Sequence, residues 1–244
     1  MASDTFRQVY ETVLAGHLQA GDTLLDIGSK DGIIASELAE TFGCDSISVD
    51  LAFQRDDDPP STEFVRSDAR SLPFESESVD AVVSNMVFEH VPDEEAIVRE
   101  VSRVLKPGGS FVVIFPNRVW PLDGHKYPPG YIWLPRRVGG PLASKLDLNP
   151  EYYEAAMHPV SALTVKRALR QYFDDIEYES VRLLDVEYDG SARGRALQAV
   201  AGPLSAAFET PVVRTVVEAV FPVPIYVARK ATSARRTESP KNRT

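Results

Sequence analysis

Three carboxylates and an amide, Asp26, Asp50, Asp68 and Asn85, each stand at or just after the end of an apolar or β-prone run. If those runs are parallel strands of one sheet, their carboxyl ends open onto a common crevice, which is where such sheets bind ligands. A carboxylate at that edge accepts hydrogen bonds from hydroxyl or amino groups. Asp50 follows Asp26 by 24 residues, close to the separation of about 20 expected for a carboxylate that takes ribose hydroxyls. Between them lies the tight turn Gly28-Ser29-Lys30-Asp31-Gly32. A strand that turns sharply into a helix leaves backbone N–H groups free beside a carboxylate. That arrangement suits a ligand carrying both an anionic and a cationic group. One acidic strand end is common as a cap; four in register indicate a nucleoside-type site.

The elements that must position these groups can be read from hydrophobic spacing. Phe6, Val9, Tyr10, Val13, Leu14 and Leu18 give a leading amphipathic helix over 5–19. Strands are expected at 23–28, 46–50, 62–66, 79–84 and 110–115, with helices at 33–42 and 93–105 between them. Gly43 fits a C-cap, and Glu94 and Glu95 suit the first turn of the second of these helices. Lys106-Pro107-Gly108-Gly109 reads as a turn before the fifth strand. This alternation predicts a parallel sheet covered by helices on both faces. Residues 117–150 are rich in proline, glycine and aromatics, and no regular element is expected there. Structure resumes with a helix at 161–173, strands near 175–186, a helix through 211–221 and a last strand at 223–228. The polar, basic tail 231–244 reads as disordered.

A chain of 244 residues forms one sizeable domain. The net charge of −10 argues against non-specific binding to nucleic acid. The single Cys44 excludes an internal disulfide and a multi-cysteine metal site, and no carboxylate cluster suggests another metal. No stretch is long enough to span a membrane, and the N-terminus lacks the basic and apolar regions of a signal peptide, so a cytoplasmic location is expected. The oligomeric state is not legible.

Leu25-Asp26-Ile27-Gly28-Ser29-Lys30-Asp31-Gly32 resembles the first motif of the class I S-adenosylmethionine-dependent methyltransferases, in their general small-molecule branch. Val49-Asp50 is similar to the acidic second motif. Ser67-Asp68-Ala69 with Leu72-Pro73-Phe74 is similar to the third. The stretch from Val79 to Ser84, then Glu89-His90-Val91 and Arg103 to Gly109, resembles the fourth and fifth. The resemblance covers residues 20–116 in order and spacing. It implies an α/β, Rossmann-like, doubly wound fold with a seven-stranded, mostly parallel sheet. The expected domain covers 1–230, with an acceptor-side insertion at 117–157 and a second insertion at 190–221.

The resemblance also implies roles. Gly28 and Gly32 would admit the methionine part of S-adenosyl-L-methionine, with Ser29 and Lys30 in the same loop and Asp26 orienting it or its amino group. Asp50, beside Leu51, would accept both ribose hydroxyls. Asp68 and the Ala69 N–H would read the adenine, Asn85 would lie beside the amino-acid portion, and His90 would form a wall of the pocket. Lys30 replaces the motif's middle glycine. The side chain either stays in solvent or weakens cofactor binding, and the second case admits a non-catalytic, cofactor-binding or regulatory protein.

Transfer of a methyl group to oxygen needs positioning and a base for the acceptor hydroxyl. His125, with Asp123 near enough in sequence to orient it, is one candidate. His125 could instead pin an irregular loop, and His158 could reach the crevice or cap the following helix. The Ile132-Trp133-Leu134-Pro135 stretch resembles methyltransferases of cell-surface sugars, so the expected acceptor is a glycan, free or lipid-linked, or another small molecule. The valine-rich helix at 211–221 invites a membrane reading, but Arg214, Thr215 and Glu218 are too few for a strongly charged interfacial face, and packing against the sheet or a partner subunit is expected.

Overall fold

The computed structural model describes residues 2–53, 61–120, 130–146, 148, 158, 160–180 and 210–232. Seven strands form one sheet: β1 (Thr23–Ile27), β2 (Asp45–Asp50), β3 (Glu63–Arg66), β4 (Val79–Asn85), β5 (Leu105–Ile114), β6 (Asp175–Tyr178) and β7 (Ile225–Arg229). Their spatial order is β3-β2-β1-β4-β5-β7-β6. β1 to β5 pair in parallel, and β7 runs antiparallel to both β5 and β6. The order reverses between β1 and β4, so a ligand crevice belongs at their carboxyl ends.

Alternation along the strands sorts side chains to two cores. On one face Leu24, Ala81, Val83, Val112, Ile114 and Val227 pack with Val9, Tyr10, Val13 and Leu14 of α1 (Ala2–Leu14) and with Leu38 of α2 (Ile33–Phe42). On the other, Leu25, Ile27, Val82, Phe111 and Val113 meet α3 (Glu94–Val104) through Ile97, Val98 and Val101, and α5 (Ala162–Tyr172) through Val165 and Leu169. Helices therefore cover both faces, as the alternation predicted. Caps fix the helix starts: Asp93 accepts from Ala96 N at 3.0 Å, and Ser161 forms a reciprocal capping box with Thr164. Ser161, not His158, caps α5.

Four expectations need correction. α1 stops at Leu14; Gly16, at φ 82, turns the chain so that Leu18 is still buried without being helical. The Lys106-to-Gly109 turn lies inside β5. Leu105 pairs with Val79 and Ser110 with Ala81, so the four residues bulge from the ladder, while Lys230 N donates to Gly109 O at 3.0 Å. The expected irregular stretch holds a short 3-10 turn at Tyr131–Trp133 and a helix, α4 (Arg136–Lys145). Gly139, Gly140 and Pro141 all disfavour a helix by propensity, yet the Tyr131 hydroxyl donates to Gly139 O and packs with Ala143, so tertiary contact wins. Finally, the valines of α6 (Pro211–Val220) do not all face inward: Val213 and Val217 are half-buried, while Val212, Val216 and Val220 stay exposed. The second insertion's residues 190–209 and the tail from 233 lie outside the described residues.

α6 is tied to the sheet by Asn117, just beyond β5. Its buried amide donates to Ala219 O and Phe221 O, both at 2.9 Å, and its N–H donates to Pro222 O at 2.8 Å. Asn117→Ala leaves two carbonyls without their donor and should lower stability by about 2 kcal/mol in urea titration. A loss below about 0.5 kcal/mol would show that α6 is held by other contacts.

Candidate cofactor site

At the carboxyl ends of β1, β2 and β4 lies a cleft of about 630 Å³, within the range of small-molecule sites. Asp26, Gly28, Ser29, Lys30, Asp50, Leu51, Asp68, Ala69, Asn85 and His90 all line it. Ten of the eleven residues proposed for the cofactor are thus brought together. Asp31, Ile33, Ile34, Ser67, Met86, Val87 and Val91 line it too, without having been singled out by their types.

Gly32 is the exception. At φ 78 it caps α2, and a Cβ there would stand 2.8 Å from the Phe64 ring and 2.9 Å from Thr62 Cγ2. Its smallness serves packing onto the β3 side. Gly28, at φ 74, is constrained by the opposite wall: a Cβ would lie 2.2 Å from Val87 Cγ2. Two non-glycine residues of the cleft also hold left-handed backbone, Lys30 at φ 55 and Met86 at φ 55. Such strain persists only where the surroundings over-determine it, and it clusters at functional sites. For Met86 the restraint is its N–H, which donates to Ile114 O at 2.9 Å. For Lys30 it is Asp50, whose Oδ2 accepts from Lys30 N at 2.9 Å. The lysine side chain is exposed.

The loop is strapped to β2 throughout. Gly28 N and Ser29 N both donate to Val49 O, at 2.7 and 3.2 Å, and Asp50 Oδ1 accepts from Ala52 N at 3.0 Å. Each Asp50 oxygen therefore holds one backbone donor and keeps a further lone-pair direction for a ligand. Asp68 is oriented differently: Arg70 Nη2 donates to its Oδ2 at 2.7 Å and Arg70 Nε to its Oδ1 at 3.0 Å. The arginine holds this carboxyl below the usual carboxylate range. Arg70 escaped the sequence reading, although its place two residues after an aspartate in a turn is a local signal.

The floor is electrostatically unbalanced. Asp26 is 3% exposed, and burial pushes its carboxyl well above the usual range, with repulsion from Asp31 and Asp50 adding to it. Ser29 Oγ and Asn85 Oδ1 are buried and have no hydrogen-bond partner among the described residues. Unpaired acceptors and clustered carboxylates in one cleft fit a ligand that brings donors and positive charge. The ammonium, sulfonium and ribose hydroxyls of S-adenosylmethionine meet that description.

The acceptor-side candidates are only partly placed. Asp123 and His125 lie outside the described residues. His158 N donates to Glu89 O at 2.6 Å, which ties its backbone to the wall that also carries His90.

Residues 25–113 match the family model of the methyltransferase domain. A methyltransferase of Mycobacterium tuberculosis is 33% identical over 133 residues, 52% of this chain and 52% of the relative. Matches to other curated relatives cover between 18% and 63% of their length, so the chain spans about half or less of several of them. Among solved structures, a chain of the complex between the Haloferax volcanii Trm112 methyltransferase activator and a methyltransferase superposes with a TM-score of 0.53 at 21% identity, covering 94% of this chain and 96% of that one. The phosphoethanolamine N-methyltransferase 2 of Haemonchus contortus, solved with S-adenosyl-L-methionine, gives 0.56 at 17% identity, covering 92% of this chain and 53% of that one. Residues 25–113 are thus similar to a methyltransferase domain, and the solved structures share the fold of this chain.

Gly28→Ala should abolish cofactor binding in calorimetry, because its Cβ and Val87 cannot share the space; retained affinity would show that the β4 wall yields. Asp26 makes a prediction with a definite sign. A carboxyl whose pKa is raised by folding is protonated more readily in the folded chain, so the ligand-free protein loses stability as pH rises from about 4 through that raised pKa. Asp26→Asn removes the penalty: the ligand-free melting temperature at neutral pH should rise by about 3 °C, while cofactor affinity falls. A lower melting temperature would mean that the ionised carboxylate stabilises the fold.

Proposed function

We propose that the protein is an S-adenosylmethionine-dependent O-methyltransferase acting on a sugar, a glycan or another small molecule. The observation that carries the cofactor is the convergence of Asp26, Asp50, Asp68 and Asn85 on one cleft beside the strapped Gly28-to-Lys30 loop. In this reading Asp50 accepts the ribose hydroxyls with its remaining lone pairs, and Lys30 N and Ala52 N fix its plane. Asp68, held by Arg70, faces the adenine amino group, and Ala69 N–H a ring nitrogen. Asp26, Ser29 Oγ and Asn85 Oδ1 take the donors of the amino-acid portion.

When bound, the cofactor supplies an electrophilic methyl group on a sulfonium. The chain's part is to hold the acceptor oxygen in line with that methyl and to remove its proton. His125 oriented by Asp123 remains the proposed base, and His158, tied to the Glu89–His90 wall, is the second candidate. Trp133 supports a sugar acceptor. Its side chain is half-exposed, and its Nε1 is fixed by donation to Arg118 O at 2.7 Å, which presents a rigid ring for stacking. The similar proteins include methyltransferases of different kinds, so the sugar acceptor is carried by Trp133 and by the resemblance.

Calorimetry with S-adenosyl-L-methionine and its demethylated product tests the cofactor. Both should bind, and Asp50→Ala should lower affinity at least tenfold, the loss of one charge-assisted pair of hydrogen bonds, with unchanged circular dichroism. Labelled-methyl transfer to a glycan-containing cell extract then tests turnover. Binding without turnover would favour the non-catalytic reading that Lys30 raises; no binding of either compound overturns both.

A further inference from the structure

α6 is apolar on two sides. Its inner stripe, Val213 and Val217, is half-buried against the body, while Val212, Val216 and Val220 are 72%, 56% and 40% exposed. A helix that is apolar all round is ordinarily covered by something. Among the described residues, α6 packs against α5, and Lys166 of α5 pairs with Glu218 of α6.

Charge identifies the cover. α5 and α6 together carry Lys166, Arg167, Arg170 and Arg214. Their one carboxylate, Glu218, is buried, where it accepts from Lys166 and from the Tyr226 hydroxyl at 2.9 Å. Arg167, Arg170 and Arg214 are exposed, and Leu163 on the same face of α5 as Arg167 and Arg170 is 62% exposed. On a chain of net charge −10, the exposed charges of these two helices are thus all basic and accompany an apolar stripe, with the nearest carboxylates at the far side and end of α5, Glu95 of α3 and Asp174. A second copy docked on this face about a twofold axis would bring two sets of exposed arginines into one interface, which opposes self-association. An apolar face flanked by arginines is the chemistry of a helix that lies in the interface of an anionic bilayer.

Position makes this surface useful. Asn117 fastens the C-terminal end of α6 to the segment that leaves β5, and Arg118 N donates to Val160 O at 2.9 Å at the entrance to α5. Both helices are therefore anchored to the chain that runs from the sheet into the proposed acceptor region.

We propose that α5 and α6 form a docking surface for an anionic lipid bilayer, seating the protein reversibly at the interface with its acceptor side towards lipid-borne substrates. No helix of the described residues can cross a membrane, so the contact is peripheral. The lipid-borne acceptor rests on the methyltransferase reading; the docking does not.

The test is sedimentation of the full chain with vesicles of phosphatidylcholine containing a minority of phosphatidylglycerol, without cofactor or acceptor. The protein should pellet with these vesicles, not with pure phosphatidylcholine, and be released by high salt. Arg167→Ala/Arg170→Ala should lower the partition coefficient about thirtyfold, and Val212→Ser/Val216→Ser should also lower it, with unchanged thermal unfolding as the control for folding. Absence of pelleting, or pelleting that neither double variant reduces, overturns the proposal. So does a concentration-dependent dimer dispersed by Val216→Glu, which would assign the face to a second copy. Because no turnover is read, failure here is distinct from failure of the methyl-transfer reading.

Discussion

The site depends on the strap between the first loop and the second strand. Val49 O accepts from Gly28 N and Ser29 N, and Asp50 Oδ2 accepts from Lys30 N. These bonds decide where the loop lies, and they hold Lys30 in a left-handed conformation that costs a side-chain-bearing residue about 1 kcal/mol. They also fix the plane of the carboxylate that must face the ligand. A motif glycine at position 30 would remove the strain while keeping the N–H, since the bond comes from the backbone. What the strap needs at position 30 is a backbone donor, and lysine provides one while its side chain stays exposed.

The same compactness creates the site's electrostatic cost. Asp26, Asp31 and Asp50 come close enough that burial and mutual repulsion raise the Asp26 pKa. In the ligand-free chain this opposes folding; with a cation in the cleft it becomes attraction. Asp68 escapes the conflict because Arg70 neutralises it locally. The two ends of the cleft thus differ: one lacks positive charge, and the other carries its own. An elongated ligand with its charge at one end and a neutral ring at the other matches that asymmetry.

Much of this was legible in the residue order because parallel strands leave a strong trace. Runs such as Ala81 to Val83, buried in the middle of the sheet, are apolar throughout, and the groups that follow them are forced to a common edge. What stayed hidden arose from tertiary contact. Spacing alone does not reveal that Gly32 is pressed against Phe64. α4 was missed because propensity penalises Gly139, Gly140 and Pro141, whereas the fold rewards the carbonyl that Tyr131 reaches.

α6 shows the limit of reading one helix by itself. Its own residues, with a single arginine and a glutamate, argue for a helix packed on the sheet or on a partner. Folding adds what the single helix does not show. Glu218 turns inward, where Lys166 and Tyr226 satisfy it, so its charge leaves the surface. Lys166 spends its own charge on that pair, leaving Arg167 and Arg170 to define the neighbouring surface. The amphipathic unit is then the pair α5 and α6, with valines supplied by one helix and most of the charge by the other. Hydrophobic periodicity is a property of a single element, but the face a protein offers to a partner is assembled from several.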